Sequence, residues 1–556
     1  MKCLMIVLAL AASALAEMSV CGTEELLPIG FTPEELLRLD EIGMYTVPTS
    51  PPPSGVMNPA EFEPATGVFV RWPLGLPAAL LVDISNDSFL WVICTSAQQS
   101  AANSYMVSIG CNMENVGYIN ASTDTIWIRD YGPWFIVLPD GTQAIFDYTY
   151  NRPRPLDDQF PVLLGTAWDI PVYASTIVHT GGNYMSSGYD QAMSTTMVYS
   201  ENGGDEEWVD GQMEDYLGIT DYQTYVDPQQ SYINHIDCWA KMLSPDRIMI
   251  LQVPPSHPDY PAIEAVVDLI ESTPCPYGTP WNVYRVQSSG TEGYSNSLIS
   301  NDVVYLPVWE TGYDTMAIAM YQEAMPGYTI NGYPYSGWDP TDALHCRTRN
   351  VIDNEMLTVR HIPVYEWQST GSPVVIDAFI RSHPDNDLLT HDLCYRTGGT
   401  GPFTVITMTS AGADSFTAQI PGLPEGTTVE YYITATDDSG RQESIPRFAP
   451  NTWFFEYETT STGIGGDTGD LTGGALTGAS PNPFNGSVRL TCVPGVSGPL
   501  SITVHDLTGR TVDAAMLEVD RGYVTWTPPG NLPSGLYVIC SAGAGSSGNL
   551  LVTLVR

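Results

Sequence analysis

From Met57 to Thr370, short β-rich runs such as GVFVRWP, DTIWIRDYGP, RIMILQVP and VVYLPVW alternate with helical ones such as EEWVDGQMEDYL, YPAIEAVVDLIEST and DTMAIAMYQEAM. Strands that alternate with helices bury their apolar faces against each other in layers, so residues 57–370 are expected to form one α/β domain. The whole chain of 556 residues exceeds what one hydrophobic core usually supports, and further domains are expected on either side.

The pattern changes near residue 371. There VVIDAFIRSH, FTVITMTS, SFTAQIP and TVEYYITATDDSG alternate apolar and polar residues between Gly, Pro and Asp turns, which predicts an all-β, immunoglobulin-like sandwich over 371–458. Residues 459–479 are Gly- and Thr-rich and read as a flexible tether, and 480–556 have the strand spacing of a second small sandwich. No sequence repeat is evident. At the other end, MKCLMIVLALAASALA has the charged start, apolar run and small residues of a secretory signal, with cleavage expected after Ala16. No later run is long and apolar enough to span a bilayer, so a secreted or surface-held protein is expected. Between the signal and Met57, FTPEELLRL carries a capping box (Thr32, Glu35) with Pro33 at the first helical position and predicts a short helix. TVPTSPPPSG then reads as a stiff linker, completing an N-terminal segment over 17–56.

Acidic residues number 63 against 20 basic ones, a formal charge of −43, and Lys2 and Lys241 are the only lysines. That balance argues against nucleic acid as a partner, because phosphate contacts need clustered lysine and arginine. The eight histidines show no HExxH or CxxC…H spacing, so neither a metal nor another cofactor is implied. Ten cysteines, nine after loss of Cys3 with the signal, leave at least one thiol without an intrachain partner; Cys94 with Cys111 and Cys492 with Cys540 are conceivable bridges.

Four motifs carry chemistry. In DALHCRTRN, Cys346 lies between His345 and Arg347, and cationic neighbours favour a thiolate. In TIWIRDYGPWF, read as a strand, Asp130 falls where the strand breaks at Gly132–Pro133, although a turn aspartate would look the same. In SYINHIDCWAKML, an extended backbone would project His235 and Asp237 to one face, where they supply an acid/base and a fixed charge together; a solvated strand face is the alternative. In EGYSNSLISNDVVYLPVW, Asn296 precedes a buried strand and is placed either to orient a partner or to form an Asx turn. Two carboxylates and a thiolate suit a planar cation with an electrophilic carbon, and a guanidinium fits best.

The motifs AEFEPATGVFVRWP, IWIRDYGPW, HTGGNYM, NHID, GYSNS and ALHCRT, in this order over roughly residues 57–360, resemble the guanidino-group-modifying enzymes. The likeness is to the bacterial Porphyromonas-type peptidylarginine deiminases and their agmatine deiminase relatives. The resemblance implies a five-bladed α/β propeller of pentein type with a central site. It also implies roles: Cys346 as nucleophile, His235 as acid/base, Asp130 and Asp237 as guanidinium clamps, Asn296 setting geometry and Trp127 packing on the substrate.

In FDYTYNRPRPLDD, prolines hold Arg152 and Arg154 extended, and by the same resemblance this pair reads the terminal carboxylate of a peptide ending in arginine; simple pairing with Asp157 and Asp158 is the alternative. Tyr232 and Ile233 lie on a segment expected to cover the site, and YSGWDPTDALHC holds few glycines before the nucleophile. The tail beginning SPNPFN resembles type IX secretion sorting domains, which would make secretion machinery a partner beside arginine-containing peptides. The leading expectation is thus a secreted deiminase of peptidyl arginine. A deiminase of agmatine or free arginine, an inactive surface binding protein and, remotely, a cysteine protease are the competing readings.

Overall fold

The computed structural model describes residues 27–364 and 368–460, and the strands with short adjoining stretches between 476 and 554. The expected leader, Cys21, most of the tether and the SPNPFN stretch beyond Ser480 lie outside the described residues. The chain resolves into two compact units, Met1–Ser461 and Thr462–Arg556.

In the first unit, the strands up to Ile352 form five sheets of like topology. The first contains β1 (Ala65–Arg71), β2 (Phe89–Cys94) and β3 (Val116–Asn120), all parallel. The second has β4 (Trp134–Val137), β5 (Gln143–Tyr150) and β6 (Val172–His179), and the third β7 (Met185–Ser186), β8 (Gln191–Thr195) and β9 (Asp221–Tyr225). The fourth has β10 (Ala240–Ser244), β11 (Arg247–Gln252) and β12 (Asn282–Gln287), and the fifth β13 (Leu298–Ser300), β14 (Val303–Val308) and β15 (Thr329–Pro334). In each of these four the first two strands pair antiparallel and the last two parallel, with a helix in the crossover. Antiparallel neighbours need only a tight turn; parallel ones need a crossover, which here supplies the apolar cover of each sheet. The first sheet gets its antiparallel strand from the far end of the domain: β16 (Arg349–Ile352) pairs with β1, Phe69 opposite Arg349. A structural repeat is therefore present where the sequence shows none, because the repeat is one of strand order and not of side chains.

The crossover helix Glu206–Leu217 shows how local sequence sets these elements. Asp205 accepts the Trp208 amide at 3.1 Å, Glu206 and Glu207 complement the positive helix start, and Gly218 ends it with φ +70°.

Two further sheets follow in the same unit. One joins Thr358–Arg360, Val374–Arg381, Ser415–Ile420 and Thr409–Gly412. The other is built on Leu388–Thr397 and Thr428–Asp437. The change of pattern expected at residue 371 falls earlier in space, since Thr358–Arg360 already pairs with Val374–Arg381. These sheets share one apolar core with the α/β part, including Tyr277, Leu357, Ile376, Tyr431 and Phe455. Arg441 grips Asp353 through Nε (2.8 Å) and Nη2 (2.9 Å) and reaches Glu355 through Nη1 (2.9 Å). The second unit has its own core, with Leu490, Ile502, Val504, Val524, Trp526 and Ile539 among its buried side chains.

Two expectations need correction. The helix expected after Thr32 is two short 3-10 turns, Glu35–Leu37 and Leu39–Glu41, although the capping box itself forms: the Thr32 amide donates to Glu35 Oε2 (2.8 Å) and the Glu35 amide to Thr32 Oγ1 (3.1 Å). Cys94, Cys111 and Cys540 are free thiols, so neither conceivable bridge forms; Cys94 and Cys111 pack as small apolar groups, with Cys111 Sγ against Met106 Sδ at 3.8 Å. Among the described residues no helix is long and apolar enough to cross a membrane.

Tyr431 ties the α/β part to the β-sheets that follow. His361 Nδ1 donates to the Asp377 carbonyl (2.6 Å), so its Nε2 accepts from the Tyr431 hydroxyl (2.9 Å), which in turn accepts from the Val364 amide (2.8 Å). Tyr431→Phe leaves both partners unsatisfied in a buried place. It is expected to lower stability by about 1–3 kcal/mol, read as a shift in the urea unfolding midpoint.

Candidate active site

Each of the last four sheets, and β16 after them, is entered through a short turn, and the candidate residues sit on those turns. Asp130 lies on Ile128–Tyr131, four residues before β4, and Gly182 on Gly181–Asn183, three before β7. His235 and Asp237 stand at and in Ile236–Cys238, just before β10; Asn296 is two residues before β13, and Cys346 lies in His345–Arg347, three before β16. The extended strands expected around Asp130 and through His235–Asp237 are therefore helical turns. A turn at these points leaves the backbone free to direct polar side chains away from the sheets, whose own faces are taken up by apolar packing.

The turns meet. A Cβ placed on Gly182 would lie 2.6 Å from His235 Nδ1, 2.7 Å from Asp130 Oδ1 and 3.3 Å from Asp237 Oδ2, so these three side chains surround the space that this glycine leaves open. Asp130 Oδ1 accepts the Gly182 amide (3.2 Å) and is 3.6 Å from His235 Nδ1. Cys346 Sγ is 3.9 Å from Asp237 Oδ2 and receives a hydrogen bond from Asn296 Nδ2 (3.3 Å). Asn296 Oδ1 also accepts the amides of Ala343 (3.2 Å), His345 (3.0 Å) and Cys346 (3.4 Å), which fixes the thiol-bearing turn. Asp130, His235, Asp237, Asn296 and Cys346 are each at most 1 % exposed, so this is one closed polar centre.

Four groups that matter here escape sequence reasoning. His345 Nδ1 is 2.7 Å from Asp237 Oδ2, and its Nε2 is 2.7 Å from Glu61 Oε2. Burial first, and then Arg129, hold the pKa of this ring below its ordinary value against the pull of Glu61; the two short contacts to carboxylate oxygens nevertheless favour an N–H on each side, and so the imidazolium. Glu61 also pairs with Arg129 (2.8 Å) and with Lys241. Burial opposes ionisation of Glu61, yet Arg129, His345 and Lys241 together hold its carboxyl well below the usual range. Glu61 lay within the AEFEP motif, and Lys241 was conspicuous as one of two lysines; those were the available signals.

The thiol corrects another expectation. His345 and Arg347 do not face Cys346: consecutive side chains on a 3-10 turn diverge by about 120°, and Arg347 reaches instead to Asp342 (3.1 Å) and to the carbonyls of Gly75 and Gly337. Burial pushes the Cys346 thiol well up, and Asp237, Asp130 and Asp342 add to it. Burial likewise raises Asp130 to about 8, with Asp237 adding to it, and lowers His235 to about 3. Both ring nitrogens of His235 lack a hydrogen-bond partner among the described residues. A buried centre of two acids, a neutral thiol and an unpartnered imidazole is electrostatically incomplete, and a cation completes it.

Trp127, Arg152 and Arg154 stand together against the N-terminal segment. Trp127 Nε1 donates to the Leu27 carbonyl (3.0 Å); Arg152 Nε donates to Ile29 (3.3 Å), and its guanidinium lies 4.2 Å over the Phe31 ring. Arg154 donates to Glu35 from Nε (2.7 Å) and Nη2 (3.1 Å), and from Nη2 to the carbonyls of Pro28 and Gly30. Its pairing is thus with Glu35, not with Asp157 or Asp158.

Gly182→Ala is expected to cut any turnover that needs Asp130, His235 and Asp237 in one place by about 100-fold, since a displacement of an ångström suffices for that. Stability should fall as well, by about 1–3 kcal/mol, because the added Cβ overpacks against buried His235 and Asp130; ammonia release and a melting curve check the two halves.

The family described as Porphyromonas-type peptidyl-arginine deiminase matches residues 57–351. An agmatine-deiminase-type protein of Yersinia pestis is 22% identical over 349 residues, covering 52% of this chain and 93% of that one. One from Shewanella sp. (strain MR-4) is 21% identical over 266 residues, covering 40% and 71%. Among solved structures, the agmatine deiminase of Enterococcus faecalis superposes with a TM-score of 0.50 at 19% identity, covering 55% of this chain and 98% of that chain. The five turns occur within the matched span, and the chain belongs to the Porphyromonas-type peptidyl-arginine deiminase family, whose members hydrolyse C–N bonds of guanidino groups.

Proposed function

We propose that this protein is a secreted deiminase that converts arginine at the carboxy terminus of peptides to citrulline and ammonia. In this reading the five sheets are the blades of a propeller around Gly182, the sheets of 358–460 form an immunoglobulin-like sandwich, and the second unit serves export and sorting. The observation that carries the substrate choice is Arg154, which already binds a carboxylate, that of Glu35, through two nitrogens beside Arg152. Arg152 also acts electrostatically on Asp130 and His235, which supports a place for it beside the reacting centre.

The chemistry follows from charge. A guanidinium entering between Asp130 and Asp237 supplies the missing positive charge, which favours ionised Asp130 and lowers the cost of a Cys346 thiolate. His235, neutral when the site is empty, takes the thiol proton. The thiolate adds to the guanidinium carbon, and His235 returns the proton to the departing nitrogen, which leaves as ammonia with a C–S bond in place. Water then attacks the amidino carbon and gives one proton to His235; the C–S bond breaks with its electron pair on sulfur, the adduct's remaining proton passes to solvent, and the ureido product leaves as His235 returns its proton to Cys346. Asn296 steadies the sulfur, His345 and Glu61 hold Asp237 in place, and Trp127 packs on the substrate's methylenes.

A second reading, deimination of agmatine or another small guanidino compound, draws on the names of the relatives and on the engagement of Arg154 by Glu35. Comparing a peptide ending in arginine with agmatine separates the two. The peptide should show the higher kcat/KM, and Arg152→Gln with Arg154→Gln should lower the ratio of peptide to agmatine kcat/KM by about 100-fold, for two charge-assisted hydrogen bonds. A wild-type preference for agmatine would overturn the peptide reading. Cys346→Ala should abolish ammonia release from both substrates and leave the far-ultraviolet circular dichroism unchanged; retained turnover would remove the proposed nucleophile.

A further inference from the structure

Residues Leu27–Glu35 are attached through three polar side chains of the α/β part. Trp127 holds the Leu27 carbonyl, Arg154 the carbonyls of Pro28 and Gly30, and Arg152 that of Ile29. Ile29 is 1 % exposed and packs in the same apolar cluster as Trp127, Ile233 and Cys346. Gly30 lies so close to the Tyr232 ring that a Cβ there would meet it at 2.8 Å. Phe31 stacks on Arg152, and Glu35 pairs with Arg154 at 2.7 Å. The capping box between Thr32 and Glu35 sets the carboxylate's aim before it reaches Arg154. Such a segment, with a carboxylate at one end and carbonyls along its length, presents the groups that an extended peptide ligand would present.

We propose that Leu27–Glu35 is an internal occupant of the substrate entrance, with the Glu35 carboxylate seated on Arg154 where the substrate's own carboxylate binds, so that the site opens only when this segment leaves. This rests on the assignment of Arg154 as carboxylate receptor made above. The partner that fits the surface of Trp127, Arg152, Arg154 and Tyr232 is then a peptide with a free carboxy terminus, and it competes with the chain's own segment. The complete burial of Cys346 and His235 in this structure is the closed state of that competition.

The test uses the full chain and a small planar cationic electrophile, 2-chloroacetamidine. The Cys346 thiolate displaces chloride from it to form a thioether, which is scored at this residue by mass spectrometry. Glu35→Gln removes the negative charge that faces Arg154, and Phe31→Ala removes the stacking on Arg152. Each should speed labelling of Cys346 by about tenfold, through loss of an ion pair in one and of a cation–π contact in the other, and lower KM for a peptide ending in arginine. Arg38→Gln, which breaks only the exposed pair with Glu41, should leave both unchanged. Hydrogen exchange at residues 27–37 should quicken when that peptide is added. Unchanged labelling in both variants, in a wild-type protein that turns over peptide, would overturn the occupant and leave the deiminase reading intact. Faster labelling without ammonia from any guanidino substrate would keep the occupant and overturn the deiminase reading.

Discussion

The antiparallel pairing of β16 with β1 is the constraint on which the site depends. Five sheets built in chain order would leave the fifth far along the sequence from the first; returning the chain to supply a strand to the first sheet closes the series. Cys346 lies three residues before that returning strand, and Asp130 lies in the turn that leaves the first sheet, so one set of backbone hydrogen bonds brings residues 216 positions apart into the same centre. Each turn then needs to carry only one or two polar side chains.

Closure brings like charges together as well, and the surroundings show how this is tolerated. Asp237 is steadied by the His345 imidazolium, which is itself held by Glu61, and Glu61 is balanced by Arg129 and Lys241. Asp130 has no cationic contact of that kind and is raised to about 8, while His235 is kept neutral by burial. The centre is thus satisfied on the side facing Glu61 and unsatisfied on the side facing Gly182. Under the proposed function, that asymmetry gives a guanidinium one place to go and leaves the Cys346 thiol protonated until it arrives.

Much of this was legible in the residues. Alternating strand and helix patterns announced the α/β part, and the period-two runs after residue 371 announced the sheets that follow. The spaced motifs named Asp130, His235, Asp237, Asn296 and Cys346, which the fold gathers together. What stayed hidden has physical causes. The fivefold order is carried by strand pairing, and its turns bear different side chains, so no repeat shows in the letters. His345 looked idle beside Cys346 because its partners, Asp237 and Glu61, lie 108 and 284 positions away. The thiol's cationic neighbours in the sequence suggest an easier ionisation that the fold does not deliver, because the 3-10 turn sends His345 to Asp237 and Glu61 and Arg347 to Asp342.

The place of Lys241 has a practical side. It is the one lysine among the described residues, and it is walled in beside Glu61 with 2 % of its surface accessible. Amine-directed dyes, cross-linkers and resin couplings therefore find no lysine handle on the outside of the folded α/β part or the sheets that follow. A protease that cuts after lysine meets its target there only once the polypeptide has come apart, so such cleavage reports directly on global opening.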